Sequence, residues 1–253
     1  MRGLILAVQF LTRLPTPQVR DFQADDLARA AVWFPAVGVL VGALVAAALA
    51  LGTQIDPWLG ALLGVLAWVW VTGALHLDGL CDLTDALAAA HGERARLLQV
   101  LADPHVGAFG VVVLVLQLLA KLVLLMLLAK AELYWAVILI PAWARLGTLV
   151  WARLPPIKHG LGENLGERFS WQSPLGAIAL WAAALAPAAG FFPALLAAPL
   201  LILAWRAYLL SRLGGMSGDA LGAGVEWMES SLLLAVVTGA ALTAAGVTAG
   251  GAI

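Results

Sequence analysis

The chain has 253 residues, 63% of them hydrophobic, and only 14 Lys or Arg and 15 Asp or Glu, so 11% are charged. Soluble domains carry about 25% charged residues; with a mean hydropathy of +0.97 an ordinary soluble enzyme is excluded and an integral membrane protein is expected. The net charge of −1 excludes a polybasic nucleic-acid binder, and a single cysteine, Cys81, excludes an intramolecular disulfide framework.

The first element is short. Leu4, Ala7, Val8, Leu11 and Leu14 fall on one helical stripe, which reads as an interfacial or packed helix. No small-residue cleavage site follows, and Arg13 and Pro15 close the apolar run, so a signal peptide is not indicated. A membrane-spanning helix needs about 20 mostly apolar residues. Charge-free or nearly charge-free runs place spans at Val32–Leu51, Pro57–Leu77, Val106–Ala129 (interrupted by Lys121) and Leu133–Ala152 (containing Arg145). From Phe169 to Trp205 there is no charge, which suits two short spans turning around Pro187, Gly190 and Pro193, or a re-entrant hairpin. A last span covers Ser231–Ala249. The expected fold is all-α: a single polytopic bundle over residues 1–253, with about seven transmembrane helices plus the N-terminal interfacial helix. The Trp residues sit mostly near span ends, as an aromatic belt predicts.

Segments 1–29, 78–105, 153–168 and 206–229 hold eleven of the 14 basic residues. The positive-inside rule makes them cytoplasmic and the C-terminus periplasmic. Thirteen of the 15 acids, all except Asp56 and Glu132, gather on the same side. Topology does not require them there. Loops 78–105, 153–168 and 206–229 are therefore expected to form an active-site face.

The strongest chemical signal is His76-Leu-Asp78-Gly-Leu-Cys-Asp82-Leu-Thr-Asp85. Asp78, Asp82 and Asp85 share one face of a helix at i, i+4 and i+7. Three carboxylates at a membrane boundary need compensation by a divalent metal, basic side chains or protons. Oxygen donors at this spacing favour Mg²⁺ or Mn²⁺ over zinc; a solvated helix face is the plainer alternative. Asp103, in Asp103-Pro-His105-Val-Gly107-Ala-Phe-Gly110, is either a helix-start signal or a fourth ligand. A second cluster, Gly214-Gly215-Met-Ser217-Gly218-Asp219 with Glu226 and Glu229, combines a glycine turn able to cradle phosphate with further acids; tight helix packing would also explain its glycines. Lys158 stands in a flexible glycine-containing segment. Arg145, inside a span, either contacts substrate or pairs with an intramembrane carboxylate. Carboxylates, glycine turns and a few cations suit phosphoryl transfer, which demands little covalent chemistry from the protein.

These residues resemble a known family. Phe10-Leu-Thr-Arg13-Leu-Pro15, the His76–Asp85 motif, Asp103 with Gly107–Gly110, and Gly214–Ala223 with Glu226 and Glu229 are similar, in order and over almost the whole chain, to cobalamin synthases, the adenosylcobinamide-GDP ribazoletransferases. The chain departs from that pattern at Cys81, where Ala is usual, and at Pro104-His105. The resemblance implies a Mg²⁺-dependent transferase of the cell inner membrane, acting on adenosylcobinamide-GDP and α-ribazole or its 5′-phosphate and releasing GMP. It implies metal ligation by Asp78, Asp82, Asp85 and Asp103, and catalytic roles for His76, Asp82 and Asp219. Substrate contacts would come from Arg145, Lys158, Gly215, Ser217, Gly218 and Glu226. A homo-oligomer, or association with other corrinoid-pathway enzymes, would fit. Two other classes compete: another membrane phosphotransferase or prenyltransferase with an acidic metal site, and an ion-coupled transporter.

Overall fold

The computed structural model describes residues 2–19, 24–157 and 173–250. Among them every regular element is helical, and the only β contact is an isolated parallel bridge between Pro156 and Met216. Helices α1 (Arg2–Leu11), α2 (Ala24–Ala31), α3 (Phe34–Thr53), α4 (Pro57–Thr72), α5 (Leu75–Ala90) and α6 (Arg94–Leu101) are followed by α7 (Ala108–Lys130) and α8 (Ile140–Trp151). Then come α9 (Ser173–Leu185), α10 (Ala198–Tyr208) and α11 (Gly218–Gly250).

Among the described residues, five helices are long and apolar enough to cross a membrane, or six if the bent α4–α5 pair forms one span. The protein is thus a polytopic membrane bundle, with fewer qualifying spans than the seven expected. Two differences account for this. The charge-free run after Phe169 yields α9, only 13 residues long, before the full-length span Pro193–Leu213. The expected 57–77 span ends at Thr72, because Gly73 (φ 61°) and Ala74 (φ 60°) both adopt left-handed backbone. The Ala74 amide closes the end of α4 on Val69 O at 3.1 Å, a Schellman-type stop, and α5 leaves at 86° to α4. A side chain at position 73 would also run into Arg13, whose own amide donates to Val71 O at 2.8 Å. The segment after α1 is thereby docked on the bend.

The start of α4 follows from its sequence: Asp56 caps it, its Oδ1 accepting the Trp58 amide at 2.8 Å, and Pro57 occupies the first helical position. α3 lies at the centre, against α4 on one side and α8 on the other. Valines 37, 41 and 45 of α3 are fully buried. The outer face of α7 exposes Val111, Val112, Val115, Leu116 and Leu119, a surface suited to lipid rather than water. α5 is held by α6, α7 and α11. That helix carries the acidic motif.

Candidate active site

α5 turns its acids in two directions. Asp78 is exposed and Asp82 half-exposed, whereas Asp85 is buried. Between Asp78 and Asp82 sits Gly79, and a Cβ there would meet the Asp219 carbonyl oxygen at 2.8 Å. This close approach brings the first turn of α11, with half-exposed Asp219, onto the acidic helix. Two motifs about 140 residues apart in sequence thus meet backbone to backbone. The turn before α11 is fixed from its other side: Met216 N donates to Pro155 O at 2.8 Å and Ile157 N to Met216 O at 2.9 Å. Ser217 caps α11, accepting the Ala220 amide at 3.1 Å. Exposed Gly218 faces open space. Arg94, exposed at the start of α6, donates from Nη1 to Leu213 O at 3.1 Å and so stands beside this glycine turn.

Asp85 looks the other way. Its Oδ2 accepts the Gly107 amide at 2.7 Å and its Oδ1 the Gly110 amide at 2.8 Å, at the start of α7. Just upstream, exposed Asp103 accepts from the His105 amide at 3.0 Å and lies 2.6 Å from His105 Nδ1. That side-chain bond holds the Asp103 carboxyl below the usual carboxylate range. Among the described residues no three His, Cys, Asp or Glu side chains are clustered to hold a metal ion.

A second charged assembly lies within the bundle. Lys121 of α7 pairs at 2.7 Å with both Glu226 and Glu229 of α11. Glu229 also pairs with Arg145 of α8, and Arg145 Nη2 lies 3.3 Å from His76 Nδ1. A guanidinium can only donate, so His76 is the acceptor there and its ring proton sits on Nε2. Gln117 of α7 donates to Glu226 Oε2 at 2.8 Å and Ser230 Oγ at 2.9 Å, and the Lys121 ammonium lies 4.3 Å from the Trp68 ring centre. Arg145 and Glu229 are 0% exposed and Lys121 3%. At about 1.5 Å per residue, Lys121 is roughly 20 Å along α7 and Glu229 roughly 16 Å along α11, near mid-span.

Sequence comparison joins these motifs to known proteins. The profile of the Cobalamin-5-phosphate synthase family matches residues 3–237. The chain belongs to this family. It is 55% identical over 252 residues to the adenosylcobinamide-GDP ribazoletransferase of Thiobacillus denitrificans, covering 99% of this chain and 100% of the relative. The proteins of the same name from Novosphingobium aromaticivorans (54% identical, 94% of this chain and 98% of the relative) and Laribacter hongkongensis (56%, 94% and 97%) are similarly close. No solved structure matches.

In this cobalamin-5-phosphate synthase family member the expected site residues separate into two groups. Asp78, Asp82, Asp219 and Gly218 reach the same surface region, and Asp103 sits on the loop that Asp85 anchors. His76, Arg145 and Glu226 do not reach that surface; they belong to the buried assembly, so the ion-pair alternative for Arg145 is what the structure displays. Residues 218–250 form one helix, so Glu226 and Glu229 lie within α11 and not in a 206–229 loop. Gly215 packs against the Pro155 carbonyl, and buried Ser217 is occupied as a helix cap. Lys158 lies outside the described residues. Sequence reasoning overlooked Arg94, because its neighbour Leu213 is 119 positions away.

Proposed function

We propose that this protein joins the two halves of the cobalamin nucleotide loop. The ribose 3′-hydroxyl of α-ribazole, or of its 5′-phosphate, attacks the cobinamide-linked phosphorus of adenosylcobinamide-GDP. The new P–O bond forms as the diphosphate P–O bond breaks, the hydroxyl proton passes to a base, and GMP departs with the bridging oxygen. The product is adenosylcobalamin or its 5′-phosphate. The observation that carries this reading is 54–56% identity, over 94–99% of this chain, to three proteins bearing the transferase's name.

The acidic surface suits a Mg²⁺ ion shared with substrate. Mg²⁺ is typically held by one or two carboxylates plus substrate phosphates and water, not by an all-protein cage. Asp78, exposed, and Asp82, half-exposed and one turn on, are donors of that kind, and Asp103 is a third candidate from the loop before α7. Asp85, with each oxygen already accepting an amide, is the poorest of the four expected ligands. Mg²⁺ held there supplies charge neutralisation on the diphosphate. Asp219, whose backbone packs against the same helix turn, and Asp82 are the candidates to take the hydroxyl proton. Gly218 leaves room for a phosphate at the start of α11, and Arg94 offers a guanidinium beside that turn. The same reading puts the protein in the cell inner membrane with this surface facing the cytoplasm and the C-terminus periplasmic; the basic-residue distribution supports it.

The test is Mg²⁺-dependent GMP release from adenosylcobinamide-GDP and α-ribazole by the detergent-purified protein and by Asp82→Asn. Wild-type turnover with a silent variant is expected; equal turnover by the two removes Asp82 from the chemistry.

A further inference from the structure

Asp85 shares the acidic stripe by spacing, but its surroundings are those of a clamp. α7 begins without a capping side chain of its own, because its N-cap residue is Gly107. A capping box normally satisfies the N-cap and N3 amides with two side chains of the same segment. Here one carboxylate from another helix satisfies both: Asp85 takes the Gly107 amide at 2.7 Å and the Gly110 amide at 2.8 Å. Its negative charge also faces the positive end of the α7 dipole. The two glycines are required by this contact. A Cβ at Gly107 would come within 2.7 Å of the Asp85 carboxyl carbon, and one at Gly110 would collide with the carboxylate and with Cys81 Sγ. Asp85 therefore seats the backbone of α7 directly on α5, one turn from Asp82.

The loop ending at that contact carries Asp103, His105 and their mutual hydrogen bonds. Its far end leaves α6, which also rests on α5. Fixing Gly107 fixes where the loop joins α5. We infer that Asp85 is a positioning residue which ties the end of the Asp103–His105 loop to α5 by clamping the N-terminus of α7, rather than a ligand of the metal. The inference rests on the proposed diphosphate chemistry only for its kinetic consequence; the clamp can be read without it.

The experiment uses full-length protein in detergent with three variants, Asp85→Asn, Asp85→Ala and Gly110→Ala. Gly110→Ala leaves every carboxylate in place but pushes a methyl group into the clamp. Amide hydrogen exchange over 102–111 reads the clamp itself: faster exchange is expected in all three variants, with Asp85→Asn, which keeps one acceptor oxygen, between wild type and Asp85→Ala. GMP release reads the consequence: kcat/KM per folded molecule should fall about 10- to 100-fold, as for residues that orient a reacting group, while the Mg²⁺ concentration for half-maximal rate stays at the wild-type value. A general loss of stability would lower the folded fraction instead and leave turnover per folded molecule unchanged. Unchanged exchange overturns the inference. So does a raised Mg²⁺ requirement in Asp85→Asn alongside a fully active Gly110→Ala. If wild-type protein releases no GMP, the functional reading fails, and the exchange result still decides whether Asp85 is the clamp.

Discussion

The protein holds two collections of charge that differ in one respect. Within the bundle, Lys121 and Arg145 face Glu226 and Glu229, with Gln117, Ser230 and His76 bonded around them. Cations and anions there are equal in number and almost wholly buried. Outside the bundle, Asp78 and Asp82 of α5 and Asp219 at the start of α11 share one surface region, and Asp103 stands on the loop before α7, with Asp78 and Asp103 exposed and the others half-exposed. An uncompensated charge in the membrane interior is very costly, so the buried set is balanced by the protein itself. Acids beside water need no such internal balance, because solvent screens them. The buried charges are matched within the bundle; the surface acids lie where solvent and a ligand can also reach them.

That contrast can be broken from either side. The largest effect should come from Asp82→Asn, with a loss of more than about 100-fold in GMP release, exceeding the loss from an orienting residue, and an unshifted thermal unfolding midpoint. Glu229→Gln should do the reverse. Removing one partner of a buried ion pair costs about 3–5 kcal/mol, so unfolding followed by tryptophan fluorescence should shift to markedly lower temperature. Replacing both partners, as Arg145→Met with Glu229→Leu, should recover part of that loss; strict additivity of the two single variants would mean that the pair is not coupled. The smallest effect concerns pH. Because His105 holds the Asp103 carboxyl below its ordinary range, the ionised form and its hydrogen bonds persist as acid is added and are lost only as pH falls through that lowered value. His105→Ala should move the acid limb of the kcat/KM profile to higher pH, and an unmoved limb would detach Asp103 from turnover.

The sequence was most legible where charge is absent. The spans expected at 32–51, 106–129 and 133–152 correspond to helical stretches Phe34–Thr53, Ala108–Lys130 and Tyr134–Trp151, because a long apolar run has few alternatives in a bilayer. It was least legible where structure depends on distant partners. Glu226 and Glu229 look like interfacial acids when read locally; their cations, Lys121 and Arg145, lie 108 and 84 positions from Glu229. Asp85 has the same helical spacing as Asp78 and Asp82, yet its fate is set by amides 22 and 25 residues downstream. The α4–α5 bend was not read: the expected span ran through Gly73 to Leu77, and nothing in an alanine announces the left-handed backbone of Ala74. The motif spacing singled out Asp78, Asp82 and Asp219 separately, while the Gly79–Asp219 contact that joins their helices is a tertiary fact.

The balance of the buried assembly has an electrical corollary. Moving one elementary charge through a membrane potential takes about 2.3 kcal/mol per 100 mV. Lys121, Arg145, Glu226 and Glu229 sum to zero with His76 neutral, so a concerted shift of the cluster along the membrane normal does no net work against the field. Taken as a unit, the buried cluster is therefore not a gating charge.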